Sequence, residues 1–178
     1  MRVISGYLGG RNFASPHGHR THPMSEKIRG ALFGALGDIH GLTILDPFAG
    51  SGAIAIEAIS RGAKSAIAID ADKSAHRALE ENIASLKIED RMEAVKAFSG
   101  SWSTRHQNDL FDLVVLDPPY DNIPYRDIEK RLPRHVAPKG TLVISWPGGA
   151  RLPILPDFKL VLQKDYNDAQ LVFYQRIG

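Results

Sequence analysis

From residue 42 onward, apolar runs of strand length alternate with stretches whose apolar residues recur at helical spacing. Residues 42–45 and 66–69 read as buried strands, and 53–61 and 74–86 as the helices that follow them. That alternation predicts βαβ units and a parallel sheet. Further strands are expected at 93–95, 113–116 and 141–144, the last after the turn Pro138-Lys139-Gly140, with a helix over 125–131. The tail breaks the rhythm. Apolar runs at 158–162 and 171–174 are joined by Lys164-Asp165-Tyr166-Asn167-Asp168, too short for a crossover helix, so this pair should be antiparallel.

The first forty residues follow another pattern. Short extended runs at 3–5 and 11–13 flank Gly9-Gly10 and predict a small hairpin. Residues 15–23 hold two prolines and no periodicity, and form a loop. Ser25 and Glu26 can then start a helix in which Ile28, Leu32 and Leu36 recur every fourth position. With 178 residues and no internal repeat, one domain over 1–178 is expected, with 1–40 as an extension of a 41–178 core.

Composition narrows the chemistry. There is no cysteine, which removes disulfides, thiolate metal sites and thiol nucleophiles. The opening residues lack the apolar run of a signal peptide and no stretch approaches a membrane span, so a cytoplasmic protein is expected. Net charge is only +2, yet residues 1–40 hold five Lys/Arg against two Asp/Glu. Arg2, Arg11, Arg20, Lys27 and Arg29 are therefore the candidate phosphate contacts, with Arg126 and Arg151 weaker ones. His17, His19 and His22 lack a nearby carboxylate, and no metal is expected. Trp102 and Trp146 read as packing residues.

Two motifs end predicted strands with reactive groups. In Asp46-Pro47-Phe48-Ala49-Gly50-Ser51-Gly52 an acidic residue precedes a glycine-rich turn and a helix start, where open α/β sheets bind ligands. The two glycines allow close backbone approach, and the helix N-terminus offers unpaired amides. Position 55 is Ala, so the dinucleotide fingerprint is incomplete. The Asp46 carboxylate would repel a pyrophosphate and suits an ammonium, as in the methionine end of S-adenosylmethionine; this disfavours a nicotinamide-dependent oxidoreductase. Asp70 ends the next strand, where an acidic side chain binds ribose hydroxyls, while Asp72 fits a helix cap better.

The second motif is Asp117-Pro118-Pro119-Tyr120. Parallel strands share a direction, so it should reach the same sheet edge as Asp46 and Asp70. Consecutive prolines fix the backbone and aim the carbonyls of Asp117 and Pro118 as acceptors. An exocyclic amine of a base is a poor nucleophile because its lone pair is delocalised into the ring. A carboxylate and a carbonyl accepting its hydrogens help localise that pair, with Tyr120 as a stacking platform for a base taken out of its helix.

These two motifs, in this order, resemble the amino-group methyltransferases. Arg2-Val3-Ile4-Ser5-Gly6, Gly10-Arg11, Pro23-Met24-Ser25-Glu26-Lys27-Ile28-Arg29, Leu32-Phe33 and the tail around Asp165 to Asp168 and Phe173-Tyr174 resemble the RsmD family over nearly the whole chain. The resemblance implies a seven-stranded, mostly parallel Rossmann-like fold with an antiparallel C-terminal strand, and S-adenosylmethionine as cofactor; a monomer is expected separately, because strands and helix faces account for most of the apolar residues. The resemblance also implies methylation of guanine N2 in ribosomal RNA of the small subunit. Asp46, Phe48, Ala49, Gly50, Ser51 and Gly52 would hold the methionine part and Asp70 the ribose. Asp117, Pro118, Pro119 and Tyr120 would take the target base, with Asp117 bordering the cofactor too. The sequence departs from the family at His22-Pro23, where Arg is usual and His22 becomes the RNA contact. It departs again at Ala97-Phe98-Ser99, where an aspartate is usual and Phe98 would pack on the adenine. The competing expectations are a DNA adenine-N6 methyltransferase, weakened by the lack of a target-recognition domain, and a non-catalytic RNA-binding protein of the same fold.

Overall fold

The computed structural model describes residues 1–18 and 23–178; Arg20 and His22 therefore lie outside the described residues. The chain forms two compact units, Met1–Phe98 and Ser99–Gly178.

The first unit contains α1 (Glu26–Leu36), β1 (Thr43–Asp46), α2 (Ala53–Ser60), β2 (Ser65–Asp70), α3 (Lys73–Leu86) and β3 (Met92–Lys96). Its three strands are parallel, with Ile44 beside Ala66 and Ala68 beside Ala94. Each helix reflects its sequence. Ser25 caps α1 by accepting from the Ile28 N–H at 3.2 Å. Every residue of α2 is buried, which is why it is apolar nearly all round. In α3 the buried residues Ala75, Ala78, Leu79, Asn82, Ile83 and Leu86 form one stripe, and Asp72 caps it through the Ala75 N–H at 2.9 Å, as expected. The N-terminal hairpin shrinks to a single antiparallel bridge between Arg2 and Asn12. Its backbone bonds run from Val3 N to Arg11 O (2.9 Å) and from Phe13 N to Met1 O (2.9 Å), while Val3, Leu8 and Phe13 are buried.

The extension is fastened to α2. The Glu57 carboxylate accepts from the Ile4 and Ser5 N–H groups at 2.9 and 3.0 Å, and the Ser60 hydroxyl accepts from the Leu8 N–H at 3.0 Å. Gly6, at φ 85°, lies so near that a Cβ would fall 1.9 Å from the Ser60 carbonyl oxygen, so only glycine fits there.

The second unit contains α4 (Ser99–Arg105), β4 (Phe111–Leu116), a π turn (Asp127–Arg131), a 3₁₀ turn (Leu132–His135), β5 (Val136–Pro147), β6 (Phe158–Tyr166) and β7 (Ala169–Arg176). β4 and β5 are parallel, and β7 runs antiparallel to β5 and β6, as the short tail connection predicts. Strands in the order β3-β2-β1-β4-β5-β7-β6 make a seven-stranded sheet. Two elements depart from the sequence reading. The helix expected over 125–131 is present, but over Asp127–Arg131 it takes the wider π form, and it passes into a 3₁₀ turn from Leu132, where Pro133 has no N–H to donate to a continuing α-helix. α4 was not expected, since Ser99-Gly100-Ser101 is a poor helix start. Tertiary contacts hold it: Trp102 is buried and stacks on His106 at 4.6 Å, and the Ser103 hydroxyl donates to Arg131 O at 3.2 Å. Trp146 is also fully buried, so both tryptophans are packing residues.

Candidate active site

In the first unit, Asp46 closes β1 and is fully buried. The turn that follows is tied to the end of β2: the Ala49 N–H donates to Ile69 O at 2.9 Å and the Gly50 N–H to Asp70 Oδ2 at 2.8 Å. Asp70 Oδ1 accepts from the Asp72 N–H at 2.9 Å, so this carboxylate braces the turn besides its expected ribose role. Gly50 and Gly52 both have positive φ, 56° and 88°. They differ in surroundings. A Cβ at Gly50 would meet nothing within 4 Å, which leaves backbone open to a ligand, whereas at Gly52 it would strike Leu79 Cδ1 at 2.4 Å. No side chain caps α2, whose N-cap is Gly52, and its first amides keep the polarity that favours a carboxylate. Phe48 is half-buried, and Phe98, just past β3, is 74% exposed.

Gly52→Ala should cost about 2 kcal/mol, from the left-handed backbone and the clash with Leu79. Thermal melting should show a midpoint lowered by about 4–8 °C. An unchanged midpoint would mean that the turn yields more readily than its packing implies.

Two roles here were not legible in the sequence. Asn82 of α3 is buried and donates to Ser51 O and Ala14 O, both at 2.9 Å, while its Oδ1 accepts from the Ala14 N–H at 2.7 Å. It joins the extension to the glycine turn. The Ser51 hydroxyl donates to Met1 Sδ at 3.3 Å, so Ser51 offers a ligand its backbone rather than its side chain.

The proposed phosphate contacts divide. Arg11 and Lys27 are exposed, and Arg2 is exposed but paired with Glu26 at 3.0 Å. Arg29 is a correction: it is only 1% exposed, lies 3.7 Å from Glu57, and donates to Arg2 O, so it cannot reach a phosphate. Its position on the inner face of α1, beside the buried Leu32 and Phe33, explains why. Among the described residues no cluster of His, Cys, Asp or Glu is arranged to hold a metal ion, and no helix is long and apolar enough to cross a membrane.

In the second unit, Asp117 follows the last residue of β4, whose neighbour on β5 is Ile144. One step on, Ser145 of β5 is buried, and its hydroxyl hydrogen-bonds the Asp117 carboxylate and lies 2.6 Å from the Tyr120 hydroxyl. The consistent proton arrangement has Tyr120 donating to Ser145 and Ser145 donating to Asp117. Burial pushes the Asp117 carboxyl up to about 6, a rise that the Ser145 hydrogen bond only partly offsets. Burial also raises the Tyr120 phenol, with the neighbouring Asp117 adding to the rise and Ser145 opposing it. Pro118 is buried, Pro119 is exposed, and the Pro119 carbonyl closes a turn by accepting from the Asn122 N–H at 3.3 Å. Tyr120 remains 39% exposed with its hydroxyl anchored inward. Ser145 was missed because a single serine in the run Leu142-Val143-Ile144-Ser145-Trp146 has no distinguishing pattern.

A mostly parallel sheet with a reversed C-terminal strand, a glycine turn after β1 and Asp-Pro-Pro-Tyr after β4 define a Rossmann-like methyltransferase fold. A tRNA methyltransferase from M. jannaschii has this fold, with a TM-score of 0.67 at 17% identity over 96% of this chain and 59% of that one. More specifically, the chain belongs to the family described as Conserved hypothetical protein 95, which matches residues 1–175. It is similar to yhhF from Escherichia coli, with a TM-score of 0.89 at 28% identity over 99% of this chain and 98% of that one. It is also 34% identical over 119 residues to the Ribosomal RNA small subunit methyltransferase D of Buchnera aphidicola. That alignment spans 66% of this chain and 62% of the relative, so under two thirds of the relative's length is matched.

Proposed function

We propose that the protein transfers a methyl group from S-adenosylmethionine to the exocyclic N2 amine of a guanine in small-subunit ribosomal RNA, acting as a cytoplasmic monomer. The observation that carries this reading is the Asp117–Ser145–Tyr120 network, which holds a carboxylate and an aromatic ring at the end of one strand. The kinship with small subunit methyltransferase D supports the choice of RNA.

The residues fit the cofactor: backbone at Gly50 is open to close approach, the start of α2 has amides for a carboxylate, and Phe98 offers a ring face for adenine. When bound, S-adenosylmethionine supplies an electrophilic methyl group on a sulfonium. Asp46 and the turn from Phe48 to Gly52 would hold its methionine part and Asp70 its ribose. The protein's part in the reaction is to ready the nucleophile. The Asp117 carboxylate and the Pro118 carbonyl accept hydrogens of the guanine amine, which keeps its lone pair on nitrogen. Tyr120 supports the base, and the proton displaced from nitrogen passes to Asp117 or to water. Residues 1–40 serve as the RNA-contacting extension of a single catalytic domain, through Arg2, Arg11 and Lys27 on their exposed side chains.

The test is transfer of labelled methyl to unmodified small subunits, naked ribosomal RNA and duplex DNA, followed by nucleoside analysis. Label in N2-methylguanosine is expected. Label confined to N6-methyladenine, or no label in any substrate, would overturn the reading.

A further inference from the structure

We propose that an open cleft beyond the end of β5 holds a second nucleotide of the RNA, next to the target base, with its base stacked on Tyr125 and its phosphate on Arg151. This rests on the reading that the substrate is RNA. The cleft has a volume of about 310 Å³ and is lined by Tyr125, Glu129, Arg151 and Ile154, among others. That is room for a single nucleotide unit.

Tyr125 is 55% exposed, yet its ring has a fixed support. It stands edge-on to the fully buried Trp146, with centroids 5.7 Å apart and planes at 83°. A T-shaped pair covers at most one face of the Tyr125 ring, so the half-exposed ring keeps a face on which a base can stack. The loop that presents Arg151 is held from beneath. Trp146 Nε1 donates to Arg151 O at 2.9 Å, and the buried Gln170 amide donates to Pro147 O at 2.9 Å and to Ala150 O at 3.2 Å. On the opposite wall, Glu129 Oε1 accepts from the Ile154 N–H at 3.0 Å. A loop this well tied loses little freedom when a ligand arrives.

The same strand supports both aromatic rings. Ser145 and Trp146 are consecutive in β5, so their side chains leave opposite faces of the sheet. Ser145 anchors Tyr120, and Trp146 supports Tyr125. Residues 120–125 thus cross the end of β5 with one aromatic ring on each side. A single strand of RNA whose target base lies on Tyr120 would pass over the strand end and reach Tyr125 with its next base. An aromatic ring beside a guanidinium is the chemistry of sequence-tolerant single-strand binding, not of base-edge readout.

The experiment measures binding of a short, labelled single-stranded RNA of mixed sequence by fluorescence anisotropy, at several salt concentrations. Wild type is compared with Tyr125→Ala, Tyr125→Phe and Arg151→Ala, with thermal melting as the check that each variant is folded. Tyr125→Ala should weaken binding roughly 10-fold, while Tyr125→Phe stays near wild type. Arg151→Ala should weaken binding and reduce the salt slope by about 0.7, the share of one phosphate contact on a single strand. Should Tyr125→Ala unfold, Arg151→Ala carries the test, because its side chain is exposed. Wild-type affinity in both alanine variants, as a peptide occupant would give, overturns the proposal, and so does a wild type that binds no RNA. Tyr125-dependent RNA binding without methyl transfer would sink the enzymatic reading alone. Methyl transfer with RNA binding indifferent to Tyr125 and Arg151 would sink the cleft alone.

Discussion

Asp117→Asn should reduce methyl transfer by a factor of about 10² to 10⁴ and, at neutral pH, make the protein more stable. Both effects come from one carboxylate. Burial lifts the Asp117 carboxyl from an ordinary 3.8 to about 6. A raised carboxyl pKa means that the folded state disfavours the charged form. The cost is absent below pH 4, grows between pH 4 and 6, and is complete above pH 6. A shift of this size corresponds to about 3 kcal/mol, an upper figure because Asp117 keeps some contact with water. Asparagine removes the charge and keeps an oxygen that can accept from Ser145. A gain of about 2 kcal/mol in a chain of this length raises the thermal midpoint by about 4–8 °C at pH 7.5, and by little at pH 4.

The rate falls because the asparagine amide cannot match what the carboxylate does. Its oxygen carries no charge, and its NH₂ opposes the amine that must be held. In the wild-type enzyme kcat/KM should climb as pH rises through about 6, as Asp117 ionises. Ser145→Ala removes a hydrogen bond that favours the ionised form, so it should move that limb to higher pH. Rate profiles and melts across pH 4 to 8 check all of this. A midpoint difference that does not vary with pH would show that Asp117 is not held in its neutral-favouring surroundings.

The two strand-end motifs were legible because each breaks a local habit. Asp46 and Asp117 stand where an apolar strand should yield to an unremarkable turn, and the glycines and prolines beside them restrict the backbone in ways a simple connection does not need. The strand and helix pattern was legible for the same reason: α3 and the strands keep one period through their length. What stayed hidden depended on partners far away in sequence. Ser145 matters because β5 pairs with β4 one residue short of Asp117. Asn82 matters because it meets Ala14 and Ser51 at once. α4 exists through Trp102 packing rather than through its own propensity. Arg29 was misread as a surface cation because charge predicts exposure, and only its buried partner overrides that.

That partner gives the largest expected loss of stability. Glu57 is 1% exposed in the fully buried α2, and it gathers four donors: Ile4 N at 2.9 Å, Ser5 N at 3.0 Å, Arg61 Nε at 2.9 Å and, more distantly, Arg29 Nε at 3.7 Å. Burial lowers the Arg29 guanidinium from its ordinary range, and Glu57 is the chief opposing influence. Glu57→Ala would leave Arg29 buried without its counter-charge and two backbone N–H groups without their acceptor. Breaking a buried pair in this way costs about 3–5 kcal/mol, or a drop of roughly 10 °C or more in the thermal midpoint. Glu57→Gln, which can still accept from one of the two amides, should fall between. The loss should be felt locally as well, because the extension that Glu57 holds also reaches the glycine turn through Ala14, Asn82 and Ser51. Amide hydrogen exchange at Ile4 and Ser5 should therefore quicken in Glu57→Ala more than exchange in the core of β2. If the alanine variant melts within a degree or two of wild type, the extension is held by Val3, Leu8 and Phe13 packing alone, and the buried ion pair contributes nothing.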